Sequence, residues 1–578
     1  MYTDEDNVRM LICLLKEHKI KKIVVSPGTT NFTFVGSIQA DPFFEIYSSV
    51  DERSAAYIAC GLAAESGEVV ALSCTGATAS RNYFSGLTEA FYRKLPVLAI
   101  TSTQFEGRIG QGVAQVIDRS IQPRDTVKCS VSIPTIKDEN DRWLANLRIN
   151  TALLELKHRG MGPVHINLAT TYSNSFSFKD LEKQRVIRRF TAGNSSFPTL
   201  TPGRICIFAG NHPTWDKDLV SYVERFCELY DAVVIGDHTS NYQGRHRILP
   251  DLLLSQDFYS PKCKNQKLLI HLGEISGGIA SVVPNAVWRV SPDGAIVDLY
   301  KKLSAVFEMD ELAFFKHYVE NAKTDQIFDA NYLDWKQECD SLVFDCNTLP
   351  FSNAWIAYKS KSLLPPNVVL HFGILNSLRV WNFHETDSSI ACYSNTGGFG
   401  IDGGVSSFIG GSFANPDKLH FGFFGDLAFF YDMNAIGNRH VSSNVRILLV
   451  NNGLGTEFKN YNHPCSKFGD DANKFMAGAG HFGNQSRELV KNYAENLGFT
   501  YFAAETKEDF EKYSQIFFDQ TPAAKPYLFE VFTEDENESK ALQMMRRIKK
   551  SSNLEIKHAV RTLVGEKNIM NIKKLLGK

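Results

Sequence analysis

The chain has 578 residues, which is enough for roughly three or four domains of ordinary size. Apolar residues make up 43% of it and charged residues 22%, as in soluble globular enzymes. The formal net charge of −2 excludes the strongly basic surface that is typical of proteins that bind nucleic acid.

The cysteines and the apolar runs indicate the compartment. The eleven cysteines are scattered and never spaced Cys-x-x-Cys, which favours reduced thiols without a zinc or iron–sulfur site. No apolar run is long enough to cross a bilayer, and the first residues lack the basic start and apolar core of a signal peptide. We therefore expect a cytoplasmic protein.

A first α/β block is predicted for residues 1–185. Residues 44–57 run from a strand into a helix, with Glu52 at the junction. Residues 69–78 form a strand and a glycine-containing turn, and they are followed by a predicted helix at residues 82–92 and a strand at residues 95–102.

A middle block is predicted for residues 190–335, after a linker at residues 191–203 that is rich in Gly, Pro, Ser and Thr. Its strand candidates are residues 204–209, 232–235 and 268–272. The block is Rossmann-like but has no Gly-x-Gly-x-x-Gly turn, so we assign it no nucleotide. Its role is either structural alone or structural with a substrate-facing edge.

The third block, residues 340–535, has two strands that each end in a polar pair. Gly425-Asp426 follows an apolar run, and Asn451-Asn452 ends the next, with a predicted helix at residues 427–437 between them. In such a βαβ unit both pairs reach the same carboxyl edge of the sheet, where α/β folds bind ligands. The side-chain oxygens of Asp and Asn, together with the Leu454 carbonyl, are ligands that suit Mg²⁺. They predict a clamp in which the metal ion binds the diphosphate of a ligand. The start of the helix adds backbone N–H groups for the same anion. Two ordinary turns are the alternative.

The order of these motifs resembles the thiamine-diphosphate (ThDP) enzymes of the acetolactate synthase and pyruvate decarboxylase superfamily over residues 1–535. Within that superfamily the motifs are most similar to menaquinone-pathway synthases of the MenD type. The similar segments are Ser26-Pro27-Gly28, residues 115–118, Asn376-Ser377-Leu378 and the glycine-rich residues 394–404. The resemblance implies three doubly wound parallel-sheet α/β domains: pyrimidine-binding, central Rossmann-like and diphosphate-binding.

The resemblance also implies roles for individual residues. The glutamate that matches Glu52 hydrogen-bonds the aminopyrimidine of the cofactor, and the bulky aliphatic residue that matches Ile401 holds the cofactor in its bent shape. The predicted catalytic residues are Glu52, Gln115 and Ser377, and the metal ligands are Asp426, Asn452 and Leu454. The predicted cofactor-binding residues are Ser26, Pro27, Gly28, Thr75, Gly76, Thr78, Gly400, Ile401, Gly425, Asp426, Leu427, Ala428, Asn452, Leu454 and Gly455.

The departures from the MenD pattern concern arginines that bind substrate carboxylates. The corresponding positions hold Thr30, Gln104, Thr396 and Trp381 in this chain, although Arg379 lies two residues before Trp381. Because an arginine fork is the side chain best suited to a carboxylate, its loss predicts a different acceptor. Association with MenD-like chains that lack these arginines suggests a sugar-derived acceptor in a surface-polysaccharide pathway.

The implied function is a ThDP- and Mg²⁺-dependent carboligase that decarboxylates a 2-keto acid and transfers the acyl anion to a carbonyl or enone acceptor. A simple non-oxidative 2-keto acid decarboxylase is the first alternative, and a non-catalytic scaffold of the same fold is the second. Decarboxylases of the family carry a His-His pair, which this chain lacks, and this favours carboligation. The resemblance further implies a homodimer or homotetramer whose active sites are shared between subunits.

Two segments have open interpretations. Residues 456–483, rich in Gly, Asn and Lys, are either a lid over the cofactor or a disordered surface loop. The tail at residues 536–578 has the pattern of a basic amphipathic helix. Such a helix can lie on an anionic membrane, but packing on its own subunit is the favoured interpretation.

Overall fold

The computed structural model describes residues 1–193, 196–213, 215–278, 281–480 and 486–551. Its strands are Lys22–Val25 (β1), Glu45–Ser48 (β2), Val70–Cys74 (β3), Val97–Thr103 (β4), Cys129–Ile133 (β5), Val164–Ala169 (β6), Arg188–Thr191 (β7), Ile205–Ala209 (β8), Ala232–Gly236 (β9), Arg247–Ile248 (β10), Asn265–Leu272 (β11), Val283–Val290 (β12), Leu303–Glu308 (β13), Val369–Phe372 (β14), Ala391–Ser394 (β15), His420–Gly425 (β16), Val445–Asn451 (β17), Thr500–Ala504 (β18) and Tyr527–Phe532 (β19).

The α-helices of the same ranges are Asp6–Glu17 (α1), Phe32–Ile38 (α2), Glu52–Ser66 (α3), Ala77–Asn82 (α4), Phe84–Tyr92 (α5), Glu139–Glu155 (α6), Lys217–Tyr230 (α7), Asp251–Leu254 (α8), Glu311–Glu320 (α9), Ala330–Asp340 (α10), Asn353–Lys361 (α11), Asn376–Trp381 (α12), Gly404–Ala414 (α13), Asp426–Asp432 (α14), Ala472–Phe475 (α15), Leu489–Asn496 (α16), Lys507–Phe517 (α17) and Asp535–Met545 (α18). Among them, none combines the length and apolar character that crossing a bilayer needs.

Two units make up the chain. The first consists of Met1–Thr191 and Gly294–Glu308, and the second consists of Ala192–Asp293 and the residues from Met309 onward. In the first unit a parallel sheet has the strand order β2-β1-β3-β4-β6-β5, and β7 pairs in parallel with β13.

Helices cover both faces of the first sheet, because its central strands are apolar throughout. On β3, Ala71 faces the core formed with α1 and α6, whereas Val70 and Leu72 face the core formed with α3 and α5. A strand that is buried on both faces reads as a continuous apolar run, and this is what the sequence shows at residues 69–74. The order of the strands changes direction between β1 and β3, and in such sheets ligands bind outside the carboxyl ends of the strands at this point.

The prediction of one helix at residues 82–92 is wrong at its N-terminal end. The structure has two helices instead, α4 and α5, which are separated at the fully buried Tyr83. Residues 77–82 are small or polar and lack apolar periodicity, so the pattern gave no signal for α4.

The second unit contains two parallel sheets. In the middle block β10, β9, β8, β11 and β12 lie side by side in that order, and they include all the predicted strands. The C-terminal sheet has the order β15-β14-β16-β17-β19-β18, which is the same topology as the first sheet. Phe423 and Phe424 of β16 face opposite helix layers. The predicted fold class, three parallel-sheet α/β domains, is confirmed.

Two predicted segments are only partly described. The described part of the predicted lid contains the 3₁₀ segments Thr456–Lys459 and Pro464–Asp471 and helix α15, and residues 481–485 lie outside the described residues. Most of the predicted amphipathic tail, residues 552–578, also lies outside them. The described start of the tail contacts its own subunit, since Arg547 Nε donates to Asp257 (3.1 Å) and Lys549 Nζ lies 2.9 Å from Glu338.

Candidate active site

The carboxylate of Asp426 lies at the carboxyl end of β16, where α14 begins. β16 and β17 pair with Gly425 opposite Val450, so the polar ends of the two strands are neighbours. Asp426 Oδ1 accepts a hydrogen bond from Leu427 N (2.7 Å), and Oδ2 accepts one from Gly453 N (2.6 Å). Asp426 therefore connects the loop after β17 to the start of α14.

Burial makes Asp426 an electrostatically unusual carboxylate, with only 3% of its surface exposed. Burial raises the pKa of this carboxyl to about 6, although backbone N–H groups, chiefly those of Leu427 and Gly453, act to lower it. A buried carboxylate that is compensated only by N–H dipoles is strongly stabilised by a cation. Asp426 thus has the character of a metal ligand.

Asn452 supplies a second oxygen at the same place. Its Oδ1 atom is buried and has no hydrogen-bond partner among the described residues. Gly453 follows with φ +86°, a conformation that favours glycine, and the chain then continues through Leu454 and Gly455 along the same cavity. A carboxylate, an amide oxygen and a backbone carbonyl are ligands that Mg²⁺ prefers, so the residues present fit this ion.

A cavity of about 110 Å³ lies beside the clamp formed by Gly425, Asp426, Asn451 and Asn452. The predicted site residues that line this cavity are Ser377, Ile401, Gly425, Asp426, Leu427, Ala428, Asn452, Leu454 and Gly455. Gly400 precedes Ile401 but is not part of the lining. The tertiary structure thus brings together residues from four separate segments of the third block.

At the start of α14 one backbone N–H is already used within the protein. The helix ends at Asp432 and continues only as the 3₁₀ segment Met433–Gly437. The N–H of Leu427 donates to the carboxylate of Asp426, so it is already used within the protein. The contacts that we expect between the first turn of α14 and a diphosphate therefore depend on the other backbone N–H groups of that turn.

Several residues of the cavity wall were not predicted from the sequence. Leu375, Asn376, Thr456 and Glu457 all line the cavity. Leu375 has φ +65°, which is strained for a residue with a branched side chain and is a common feature of functional sites. Asn376 belongs to a motif that the sequence analysis quoted, so it could have been found; the others depend on loop geometry.

Glu52 begins α3 in the first unit, directly after Asp51, whose side chain caps the helix. Asn82 Nδ2 donates to Glu52 Oε2 (3.1 Å), which orients the carboxylate. Burial raises the pKa of the Cys74 thiol to about 12, and the charge of Glu52 contributes to this rise. The glutamate therefore lies near the carboxyl end of β3, where the predicted cofactor-binding turn begins.

The loops after β1 and β3 touch each other closely. A Cβ atom on Gly28 would lie 1.8 Å from Thr75 Cγ2, so only glycine fits at this position. Ser26, at the end of β1, is fully buried, and its Oγ atom has no hydrogen-bond partner within the described part of the chain. The loop that contains Pro27 is thus fixed against the turn at Thr75.

Gln115 also reaches this turn. Its backbone has φ +64°, and its carbonyl oxygen would lie 3.2 Å from a Cβ atom on Gly76. The side chain of Gln115 is exposed, as is Thr78 on α4. Glu52, Gln115 and the turn at Gly76 are therefore grouped at one edge of the first sheet.

Arg119 is a buried cation near Gly76 that the sequence analysis did not identify. It is 2% exposed, and burial lowers the pKa of its guanidinium to about 10. Nη2 donates to the Ser102 carbonyl (3.2 Å), whereas Nε and Nη1 have no partner among the described residues. A positive charge thus lies behind the turn, although the spacing of charges in the sequence gave no sign of its burial.

Comparison with known proteins agrees with this geometry. Residues 7–121 match the family described as thiamine pyrophosphate enzyme, N-terminal TPP binding domain. This range contains Glu52, Gln115 and the turn at Gly76.

Curated relatives match between about three quarters and nearly all of the chain. A 2-succinyl-5-enolpyruvyl-6-hydroxy-3-cyclohexene-1-carboxylate synthase of Bacteroides thetaiotaomicron is 29% identical over 94% of this chain and 98% of its own length. The synthase of the same name from Bacteroides fragilis is 28% identical over 94% of this chain and 99% of its own length. That of Desulfotalea psychrophila is 26% identical over 77% of this chain and 85% of its own length.

The family match in the first block and the clamp geometry in the third lead to the same assignment. The name of these relatives is that of a MenD-type synthase, and synthases of this type are carboligases. The chain is similar to the thiamine-diphosphate-dependent enzymes, among them the MenD-type carboligases, and it is an enzyme that uses ThDP and Mg²⁺ as cofactors.

Proposed function

We propose that this chain decarboxylates a 2-keto acid and joins the remaining acyl group to a second carbonyl or enone acceptor. The observation that carries the proposal is the buried carboxylate of Asp426 beside the unpartnered oxygen of Asn452. When bound, the cofactor supplies the electron sink for decarboxylation, and the protein supplies binding, orientation and proton control.

In this proposal the metal ligands are the side chains of Asp426 and Asn452 and the carbonyl of Leu454. These residues would hold a cation that compensates the buried carboxylate, and its other positions would be left for water and the diphosphate. The turn at Thr75 and Gly76 and the loop of residues 26–28 belong to the pyrimidine side of the site.

Glu52 is assigned as the residue that controls protonation of the cofactor ring. One carboxylate oxygen is held by Asn82, so the other is left for a ring nitrogen. A carboxylate can hold a proton at that nitrogen, whereas an amide cannot. Gln115 and Ser377 are assigned as polar contacts to the substrate.

We propose an acceptor that differs from that of the relatives, whose named product carries succinyl, enolpyruvyl and carboxylate groups. Of the positions where MenD has arginines, Thr30, Thr396 and Trp381 are buried, and Trp381 packs on Phe372. None of these three side chains carries a charge, so no fork for a carboxylate remains there. A sugar-derived acceptor from a surface-polysaccharide pathway fits this loss.

The competing function is simple decarboxylation, since both reactions share every step up to the loss of carbon dioxide. The absence of adjacent histidines in the sequence favours carboligation. A non-catalytic scaffold is disfavoured by the retention of Glu52, Asp426 and Asn452.

A homodimer or homotetramer with shared sites is part of the proposal. Apolar side chains near Glu52 are exposed in the single chain, with Val50 at 78% and Tyr57 at 45%. An exposed apolar patch of this kind marks an interaction surface, and a twofold dimer would cover it.

The domain roles follow the sequence blocks. Residues 1–185 are assigned as the pyrimidine-binding domain, 190–335 as the central domain, 340–535 as the diphosphate-binding domain and 536–578 as the tail. A cytoplasmic location is also proposed, because the eleven cysteines, all within the described residues, are free thiols.

The proposal is tested by incubating the protein with ThDP, Mg²⁺ and a panel of 2-keto acids, with and without aldehyde, enone and sugar-derived acceptors. Mass spectrometry identifies the products, and carbon dioxide release measures decarboxylation. A new carbon–carbon bond that forms only with an acceptor supports carboligation. An aldehyde as the only product in every mixture would support the decarboxylase instead.

A further inference from the structure

The segment that follows the clamp is tied to the start of α12 by an arginine–glutamate pair. Arg379 Nη1 lies 2.7 Å from Glu457 Oε2, and Arg379 Nη2 lies 3.0 Å from Oε1. Glu457 belongs to the short segment of residues 456–460, which we call the post-clamp segment. It begins two residues after the predicted metal ligand Leu454.

Four further hydrogen bonds surround this pair, and two of them join the same two elements. Arg379 Nη1 also donates to Asn376 Oδ1 (2.8 Å), and Asn376 Nδ2 donates to Thr456 Oγ1 (2.8 Å). Asn460 Nδ2 donates to Asn376 Oδ1 (3.2 Å) and to Glu457 Oε2 (3.3 Å). The ion pair is therefore the centre of a network that spans the whole post-clamp segment.

The surroundings make this pair stronger than an ordinary surface ion pair. The side chains of Arg379 and Glu457 are 29% and 21% exposed, so water screens them only in part. Thr456 and Asn460, at the two ends of the segment, are buried. Two-point pairing with a planar guanidinium also fixes the direction of the contact and not only the distance.

The pair lies at the wall of the cavity beside the clamp. Asn376, Thr456 and Glu457 line that cavity together with Leu454 and the strained Leu375, which immediately precedes α12. A strained backbone of this kind persists only where the surrounding contacts fix it. The network holds Asn376, the residue next to Leu375, through its hydrogen bonds with Arg379 and Thr456.

We propose that Arg379 is a positioning residue, which through Glu457 holds the post-clamp segment so that the Leu454 carbonyl and the Asn452 oxygen face the metal. Arg379 therefore does not act as a substitute for the missing substrate arginines, because its fork is occupied by a carboxylate of the protein. This inference rests on the proposed cofactor site.

The test combines ThDP affinity with backbone exchange in the full-length protein. Titration calorimetry with ThDP and Mg²⁺ is carried out on the wild type, R379Q, E457Q, R379K and the double variant R379E/E457R. We expect R379Q and E457Q each to weaken ThDP binding about tenfold, and R379K to weaken it less because it keeps the charge but not the fork. The charge-reversed double variant should recover affinity to within about threefold of the wild type.

A matched control is the pair formed by Lys359 and Glu511, which lie 3.0 Å apart on two helices of the same block. K359Q should leave ThDP affinity unchanged. An equal loss of affinity in K359Q and R379Q would show that the pair at Arg379 contributes only general stability, and it would overturn the inference. Wild-type affinity in both R379Q and E457Q would overturn it as well.

Hydrogen–deuterium exchange of the cofactor-free protein separates this inference from the proposed function. R379Q should increase exchange at residues 453–460, and K359Q should not. In this segment the Gly455 N–H donates to the Ala477 carbonyl, and the Asn460 N–H donates to the Thr456 carbonyl. Unchanged exchange in R379Q overturns the positioning role. If the wild type fails to bind ThDP, the proposed function is wrong, and the exchange result still decides whether Arg379 holds the segment.

Discussion

Asn451 Nδ2 donates a 2.7 Å hydrogen bond to Glu530 Oε1, so a buried carboxylate on β19 holds the residue next to the clamp amide of Asn452. Tyr501 OH donates to the other oxygen of Glu530, also at 2.7 Å. Glu530 is 1% exposed, and burial raises the pKa of its carboxyl above its usual range. The clamp thus depends on a polar network inside the sheet.

The first prediction concerns this network. Glu530→Ala should lower the free energy of unfolding by about 2–4 kcal/mol, because it leaves the buried donors of Asn451 and Tyr501 without an acceptor. Urea unfolding measures the loss. Tyr501→Phe removes one donor only and should cost about 1 kcal/mol; equal losses in both variants would contradict the network.

The second prediction concerns the metal. Asp426→Ala should abolish Mg²⁺-dependent ThDP binding, because no carboxylate then compensates the cation or helps it to neutralise the diphosphate. Titration calorimetry with and without Mg²⁺ measures the effect. Asp519→Ala, at an exposed carboxylate of the same block, is the control and should bind normally. Wild-type affinity in Asp426→Ala would refute the metal assignment.

The third prediction is that stability depends on pH through Glu538. Burial raises the pKa of this carboxyl to about 7, from an ordinary value of 4.5. The folded state therefore binds more protons than the unfolded state between these two values, and stability falls as the pH rises from about 4.5 to 7. The fall due to this group is about 3 kcal/mol at most.

Glu538→Gln should remove that part of the slope, because the amide does not titrate. Thermal unfolding between pH 4.5 and 7.5 measures it. The control is Glu536→Gln on the same helix, an exposed position that should keep the wild-type slope. An unchanged slope in Glu538→Gln would show that other groups cause the dependence.

The fourth prediction separates binding from chemistry. Glu52→Gln should bind ThDP with nearly normal affinity but lose most of the exchange of the cofactor C2 proton, because an amide cannot hold a proton at the ring nitrogen. Proton NMR of the bound cofactor after rapid mixing with deuterium oxide measures the exchange rate. An unchanged rate would leave Glu52 only a role at the start of α3.

The fifth prediction concerns shared sites. Glu52→Gln and Asp426→Ala chains should each be inactive, yet a mixed dimer should contain one intact site and one site with both substitutions. Up to roughly half of the wild-type activity per heterodimer should therefore return if the sites act independently. Native mass spectrometry shows whether heterodimers form. Heterodimers without activity would contradict sharing, and so would an active monomer in light scattering.

The sequence by itself determined the three α/β blocks and the type of site. Strands such as β16 and β17 are buried on both faces, so they appear as continuous apolar runs, and the polar residues that end them are conspicuous. Asp426, Asn452 and Glu52 could be named because each directly follows such a strand or begins a helix. The short α4 could not be found, because its small and polar residues lack periodicity.

Only the tertiary structure decided which side chains surround the clamp. Glu530 and Glu457 are ordinary charged residues in the sequence, and their spacing from the clamp carries no signal. The same holds for Arg119 and the turn at Gly76 in the first unit. Their burial and partners arise from strands and loops that are distant along the chain, such as β19 beside β17. Local pattern predicts where a strand ends, whereas the partner of a buried charge depends on long-range packing.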